Sequence, residues 1–151
     1  SDLIHVERHQ GTGNVACGFL KGYGIKAGAV ALSIAHDSHN IIVVGVSDEE
    51  MEFAVNSLIA QEGGMVLVKE GKVIESMPMP IAGLMSDQSG EWVDEKLTAI
   101  HAKAYEELGI AGDVEPVMTL CFMSLAVIPE VKLTDMGLFD VTTFSFIPVE
   151  A

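Results

Sequence analysis

Two short apolar runs constrain the fold of this chain more than any other feature of its sequence. Residues 29–34 and 41–46 are rich in Val, Ile and Ala, and runs of this length and composition are typical of buried strands. The six residues between them, 35–40, read Ala-His-Asp-Ser-His-Asn and place five polar side chains at the junction. Burial of the two strands does not require such chemistry. The segment is therefore either an exposed turn or a site at the end of a sheet.

Two helices are predicted by apolar residues at three- and four-residue spacing, and the first also by a capping signal. The first begins at Ser47, which forms a capping-box pattern with Glu50, and ends at the glycine pair 63–64. Its predicted packed face consists of Met51, Ala54, Val55, Leu58 and Ile59. The second helix covers residues 91–108, and its apolar stripe consists of Val93, Leu97, Ile100, Ala104 and Leu108.

Strands account for most of the remaining chain, and residues 132–138 are predicted to form a loop. The other predicted strands cover residues 3–8, 65–69, 72–77, 117–127 and 141–147. Hairpins combined with strand–helix–strand passages indicate an α+β (mixed α/β) fold, with one mixed β-sheet of about six to seven strands and two or three packed helices. No stretch has the composition of a linker, so we expect residues 1–151 to form a single domain.

Composition and charge exclude several classes of function. The net charge of −14, from 22 acidic and 8 basic residues, argues against nucleic-acid binding, which needs a basic surface. No apolar run approaches the ~18 residues that a membrane span needs, and no signal peptide is visible. Cys17 and Cys121 lie in apolar surroundings, which favours two reduced core thiols in a cytoplasmic protein, with a disulfide as the alternative.

The polar segment supplies four candidate site residues, and two more lie at the end of the first predicted strand. The six candidates are His36, Asp37, His39, Asn40, Glu7 and His9. The two imidazoles of residues 36 and 39 face the same side only if the segment forms a helical turn, and a zinc site needs three or four convergent ligands. Glu7 and His9 could complete such a set, but a capped turn is the simpler interpretation, so no metal ligand is assigned.

A glycine-rich turn offers a different type of site. Residues 11–16 read Gly-Thr-Gly-Asn-Val-Ala and match the G-x-G-x-x-A form of the dinucleotide fingerprint, with Asp37 where an acidic ribose partner would stand. The match is weak because Glu7, Arg8 and His9 precede the turn, where such a fold needs an apolar strand. Binding of nicotinamide or flavin is therefore only a secondary hypothesis.

Several of these segments, taken together and in order, carry a resemblance to a known family. The segments are Glu-Arg-His at 7–9, Gly-Thr-Gly-Asn at 11–14, Ala-His-Asp-Ser-His-Asn at 35–40, Pro-Ile-Ala-Gly-Leu-Met-Ser at 80–86 and Lys-Leu-Thr-Asp at 132–135. They resemble the C-terminal region of adenine deaminases of the amidohydrolase type over nearly the whole chain. The run at 35–40 is the most specific, because six residues of mixed chemistry rarely recur by chance.

The resemblance implies a role within a larger enzyme. Such enzymes hydrolyse adenine to hypoxanthine and ammonia in purine salvage, with a divalent metal, manganese or iron, held in a (β/α)8 barrel that precedes this region. A barrel needs about 250 residues, and the His-x-His motif of such barrels is absent from this sequence. The resemblance thus implies a domain that binds no cofactor of its own, contacts the barrel of the same polypeptide and the adenine substrate, and belongs to a homo-oligomer.

Three functions remain open from the sequence alone. The first is that the domain contributes polar residues to the active site or to the barrel interface, without activity in isolation. The second is a non-catalytic structural or oligomerisation domain, with 35–40 a satisfied turn. The third, more distant, is a free-standing nucleotide-binding module.

Overall fold

Six strands form the central sheet of the protein, whose computed structural model describes residues 1–150. The strands are β1 (Asp2–Val6), β2 (Val15–Phe19), β3 (Ala29–Leu32), β4 (Ile41–Gly45), β5 (Gly64–Lys69) and β6 (Lys72–Pro78). Their order is β2-β1-β4-β3-β5-β6, and all neighbours in the sheet are antiparallel. The sequence predicted a mixed sheet, in which some neighbouring strands are parallel and others antiparallel. The chain does cross over from β4 to the parallel strand β5, but β3 lies between them.

The two apolar runs are the middle of this sheet. Every residue of β3 and of β4 is buried, because both strands have a neighbour on each side and packed residues on each face. Helix α1 (Asp48–Ala60) covers one face, and helix α2 (Gly90–Glu106) lies on the opposite face. These packed layers confirm the α+β class predicted from the sequence.

Both predicted helices form, and each begins at a serine cap: the cap at Ser47 was predicted, whereas the cap at Ser89 was not. The hydroxyl of Ser47 accepts a hydrogen bond from the Glu50 amide, and the hydroxyl of Ser89 does the same for Trp92. On α1 the buried residues are Met51, Ala54 and Leu58. Ile59, predicted to lie on the packed face, is 58% exposed, so the stripe is narrower than expected.

The predicted strand over residues 117–127 is wrong. The chain forms a short helix, α3 (Pro116–Cys121), which begins with the Glu115 side chain as N-cap and proline in its first turn. Its buried residues Val117, Leu120 and Cys121 follow a three- and four-residue spacing. A short apolar run does not by itself distinguish a strand from a buried helix.

The predicted loop over 132–138 is also incorrect, and the predicted strand over 141–147 is confirmed only at residues 145–147. Three antiparallel strands form a second sheet here: β7 (Val131–Thr134), β8 (Gly137–Asp140) and β9 (Ser145–Ile147). Between β8 and β9 the Asp140 carboxylate accepts hydrogen bonds from the Thr142 amide and hydroxyl. This short polar turn therefore occupies the first part of the strand that was predicted over 141–147.

The glycine-rich turn is a hairpin loop. Gly11 and Gly13 have φ of +62° and +74°, a conformation that glycine tolerates best, and they lie between the antiparallel strands β1 and β2. A dinucleotide fingerprint requires a helix after the glycines, whereas Val15–Phe19 is a strand. The hypothesis of nicotinamide or flavin binding at this turn is therefore wrong.

Candidate functional site

Antiparallel pairing brings the two polar segments of the sequence to one end of the sheet. Val6, the last residue of β1, pairs with Ile41, the first residue of β4. The loop 7–14 that leaves β1 therefore lies beside the segment 33–40 that enters β4. We call these two segments the polar end, and five of the six candidate residues make contacts within it.

Glu7 organises its own loop. Its carboxylate accepts hydrogen bonds from the amides of His9 (2.5 Å), Gln10 (2.7 Å) and Thr12 (3.0 Å), and from the Thr12 hydroxyl (3.1 Å). These bonds, with that from Gln10 the strongest, lower the pKa of Glu7 to about 2. Most of the acceptor capacity of this carboxylate is thus used within the loop.

His9 joins the two segments of the polar end. Its Nε2 lies 2.7 Å from the carbonyl oxygen of Ser38 and 3.1 Å from that of His39. Since a carbonyl only accepts, Nε2–H is the donor in both contacts. This side chain is therefore a bridge between 7–14 and 33–40.

His36 and His39 form an aromatic pair, and His36 is held by contacts to residues 121–124. Their ring centroids are 5.4 Å apart in an edge-to-face arrangement, and His36 also stacks on Phe122, with centroids 5.1 Å apart. The His36 amide donates to the Cys121 carbonyl at 2.9 Å, and its own carbonyl accepts from the Ser124 hydroxyl at 2.8 Å. Helix α3 and the residues after it therefore fix the position of His36.

His39 has an unused nitrogen. Its Nδ1 is buried and has no hydrogen-bond partner within residues 1–150. Burial lowers the pKa of His39, and the neighbouring His36 and Arg8 add to the effect, so the ring is held neutral at pH 7. Its φ of +51° is one of few left-handed conformations at a non-glycine residue, and such backbone strain often accompanies functional positions.

Asn40 and Asp37 face different surroundings. Asn40 is 3% exposed, and its Oδ1 accepts from the Arg8 amide at 3.2 Å. Asp37 is exposed and lines a second hollow of ≈ 230 Å³ with His5, Ser38 and Asp135, and this hollow adjoins a larger cavity through Ser38 and Asp135. Within residues 1–150 it forms no hydrogen bond to either imidazole, so it does not fix a histidine tautomer.

Three of the candidates, Glu7, His9 and Asn40, line one open cavity at the polar end. This cavity of ≈ 330 Å³ is lined by Glu7, His9, Ser38 and Asn40, with Asp135 from the β7–β8 turn. Its walls offer carboxylate, imidazole, hydroxyl and amide groups. Such an arrangement can hydrogen-bond the edge of a polar ligand.

Two residues at this end were missed by the sequence reasoning. Arg8 donates from Nη2 to the Ala82 carbonyl at 2.9 Å, which joins the polar end to the loop 81–85, and it lines a cavity of ≈ 360 Å³ beside Ser33 and Gly83. It is the only arginine in the chain, which was the available signal. His5 is 1% exposed, and its Nδ1 donates to the Leu133 carbonyl at 3.0 Å; no sequence signal distinguished it from its neighbours.

The described part of the chain holds no group of three or more His, Cys, Asp or Glu side chains arranged to bind a metal ion. None of the helices in residues 1–150 has the length and apolarity to cross a membrane. Cys17 and Cys121 are both free thiols, so the alternative of a disulfide between them is not realised. The prediction of two core thiols is correct for Cys121, which is buried, and wrong for Cys17, which is exposed on β2.

Comparisons with known proteins identify the family of this chain. A family model described as the adenine deaminase C-terminal domain matches residues 1–145. Adenine deaminase 2 of Desulfotalea psychrophila is 75% identical over 97% of the chain, and the adenine deaminase of Ligilactobacillus salivarius is 53% identical over 98%. The chain spans only 25% and 26% of these two relatives. The chain thus belongs to the adenine deaminase C-terminal domain family.

Proposed function

We propose that this chain is one domain of an adenine deaminase, the hydrolase that converts adenine to hypoxanthine and ammonia in purine salvage, and that its polar end borders the active site. The observation that supports the second part is the open cavity of ≈ 330 Å³ at the polar end, whose lining includes Glu7, His9 and Asn40. These side chains offer carboxylate, imidazole and amide groups to a polar ligand. His39 lies next to this cavity, because its carbonyl oxygen accepts a hydrogen bond from His9.

The bond-breaking chemistry belongs to the rest of the enzyme. In metal-dependent hydrolysis, the ion lowers the pKa of a bound water and thereby supplies the nucleophile. The described residues hold no suitable ligand set, so no step of the reaction is assigned to a metal in this chain. We place the manganese or iron ion of the parent enzyme in its (β/α)8 barrel, and the protein in the cytoplasm as a homo-oligomer.

The residues of the polar end would recognise and position the substrate. A neutral His39 offers one hydrogen-bond donor and one acceptor, which matches the alternating donors and acceptors on a purine edge. The lowered pKa of His39 keeps this pairing available at neutral pH. Phe122 fixes the ring of His36, which in turn packs against His39.

The test is a set of substitutions in the full-length enzyme. We expect His36→Ala and His39→Ala to lower kcat/KM by about a hundredfold, roughly 2.7 kcal/mol of transition-state stabilisation, while the melting temperature changes little. Lys72→Ala, at an exposed position where the β5–β6 hairpin begins β6, is the control and should leave kcat/KM unchanged. We expect Asp37→Asn to have a smaller effect than either, because Asp37 lines a different hollow.

The alternative function is a purely structural domain, and the same experiment distinguishes it. A structural polar end predicts near-normal kinetics together with a stability loss of about 1 kcal/mol per broken hydrogen bond. A companion measurement uses the purified 151-residue chain. We expect no turnover of adenine above a buffer blank when the chain is supplied with Mn²⁺ or Fe²⁺, because the barrel supplies the reacting groups.

A further inference from the structure

One face of the central sheet is only partly covered by the described residues. Helix α1 packs on β3, β4 and β5. The neighbouring strands β1 and β2 complete that side of the sheet, but no helix of residues 1–150 lies above them. This face of β1 and β2 is at the opposite side of the sheet from α2.

The uncovered strip is apolar. Along β2, Ala16 and Gly18 point to the packed side and are buried, whereas Val15, Cys17 and Phe19 point to the α1 side and are exposed. Val15 is 58% exposed and Phe19 is 73% exposed. Exposed apolar patches that are continuous commonly mark interaction sites.

The strip continues across β1 to the side of α1. Ile4 pairs with Cys17, and Val6 pairs with Val15; residues directly opposite in an antiparallel pair point to the same face. Ile4 and Val6 are half-buried and pack against the same cluster as Val55 of α1. The apolar strip thus forms the floor of a groove whose wall is α1.

Two hollows make this groove continuous. One of ≈ 300 Å³ lies between α1 and β1, and one of ≈ 240 Å³ lies over β2. Both are lined by Ile4 and Asp48, so they adjoin. The charged residues in the lining are Asp2, Asp48 and Glu52, all acidic.

The geometry of the sheet indicates what would fill the groove. Strands in a sheet are about 4.8 Å apart, so β1 lies about 9.6 Å from β3, two strands away and under α1. Packed helices have axes 8–10 Å apart, roughly the same distance. A second helix placed beside α1 would therefore lie over β1 and β2 and cover the apolar strip.

Charge and length identify the source of that helix. A second copy of this chain carries a net charge of −14 and would be repelled by the acidic rim. The chain spans about a quarter of the length of its relatives, so most of such a polypeptide lies outside these residues. We propose that the groove between α1 and strands β1–β2 docks an amphipathic helix, with basic residues toward the acidic rim, from that remaining part of the enzyme polypeptide.

The alkylation rate of the native Cys17 thiol shows whether the groove is covered, so the first experiment needs no substitution. It is exposed on the floor of the groove, whereas Cys121 is buried and its pKa is raised to about 11 by that burial. The native full-length enzyme is treated with N-ethylmaleimide, and alkylation of the peptide that contains Cys17 is followed by mass spectrometry. Urea-unfolded enzyme gives the unprotected rate. We expect Cys17 to react at least about tenfold more slowly in the native enzyme.

Two matched substitutions test the location. Val15→Glu places a charge on the groove floor, and Val73→Glu makes the same change on β6, the opposite edge strand, where Val73 is 45% exposed. Val15→Glu should increase the alkylation rate of Cys17 in the native enzyme, and Val73→Glu should not. A carboxylate near a thiol lowers its thiolate fraction, so the direct electrostatic effect would have the opposite sign.

The proposal is overturned if native Cys17 reacts as fast as in the unfolded enzyme. It is also overturned if protection disappears on about hundredfold dilution, which would identify a second copy as the occupant, or if Val73→Glu exposes Cys17 as effectively as Val15→Glu. The wild-type measurement needs no variant to fold. Because the readout is thiol chemistry rather than turnover, failure of this proposal is distinct from failure of the role assigned to the polar end.

Discussion

Ser33 offers the sharpest test of how the polar end is held to the rest of the protein. Its buried hydroxyl donates to the Gly83 carbonyl at 2.6 Å and accepts from the Gly64 amide at 2.7 Å. It thereby connects the end of β3 to the loop 81–85 and to the start of β5. Ser33→Ala removes both bonds without changing the backbone.

The expected loss follows from those two contacts. The substitution leaves one buried amide and one buried carbonyl without this partner, and each such group costs about 1–3 kcal/mol. Because Gly83 borders a cavity from which water can reach it, we expect a total loss in the free energy of unfolding of about 2–4 kcal/mol. For a domain of this size, that corresponds to a fall in Tm of roughly 4–16 °C.

The assay is urea and thermal denaturation of the chain, followed by circular dichroism. Ser57→Ala is the matched control, because the Ser57 side chain on α1 forms no hydrogen bond recorded within residues 1–150, and we expect a change within about 0.5 kcal/mol. A loss below about 1 kcal/mol for Ser33→Ala, or an equal loss for both variants, would refute the reasoning.

Two further predictions concern stability. Leu58→Asp places a charge at a fully buried position of α1, and since an unpaired buried charge costs several kcal/mol, we expect loss of the cooperative thermal transition; an unchanged Tm would contradict the packing of this face. Glu7 has a folded-state pKa of about 2, below its ordinary value of 4.5, so its stabilising contribution is present above pH 4.5 and is lost as pH falls toward 2. Glu7→Gln should therefore flatten the dependence of stability on pH in this range, and a pH profile identical to that of the wild type would show that the loop bonds do not contribute.

The sequence predicted the centre of the fold better than its periphery. The runs 29–34 and 41–46 could be recognised because burial on both faces demands continuous apolar composition. The caps at Ser47 and Ser89 act locally, so the beginning of each helix is encoded within a few residues. Residues 117–127 were predicted incorrectly because a short apolar run does not show whether it forms a buried strand or a helix that packs on a sheet.

The candidate site was likewise predicted only where its features are encoded locally in the sequence. Residues in the loop 7–14 and the segment 33–40 could be grouped because strand ends were predicted there. The separate orientation of Asp37 could not be predicted, because it depends on a turn within 36–39, where His39 takes a left-handed conformation. The roles of Arg8 and His5 depend on long-range contacts to Ala82 and Leu133, for which a single sequence carries no signal.

The support beneath His36 has a consequence for how substitutions will combine. The amide, the carbonyl and the ring of His36 are each held by a different residue between 121 and 124. His36 and the residues 121–124, more than eighty positions away in the chain, are thus held in place by direct contacts with each other. Residues in direct contact have non-additive effects, so a substitution at Phe122 will alter the outcome of a substitution at His36.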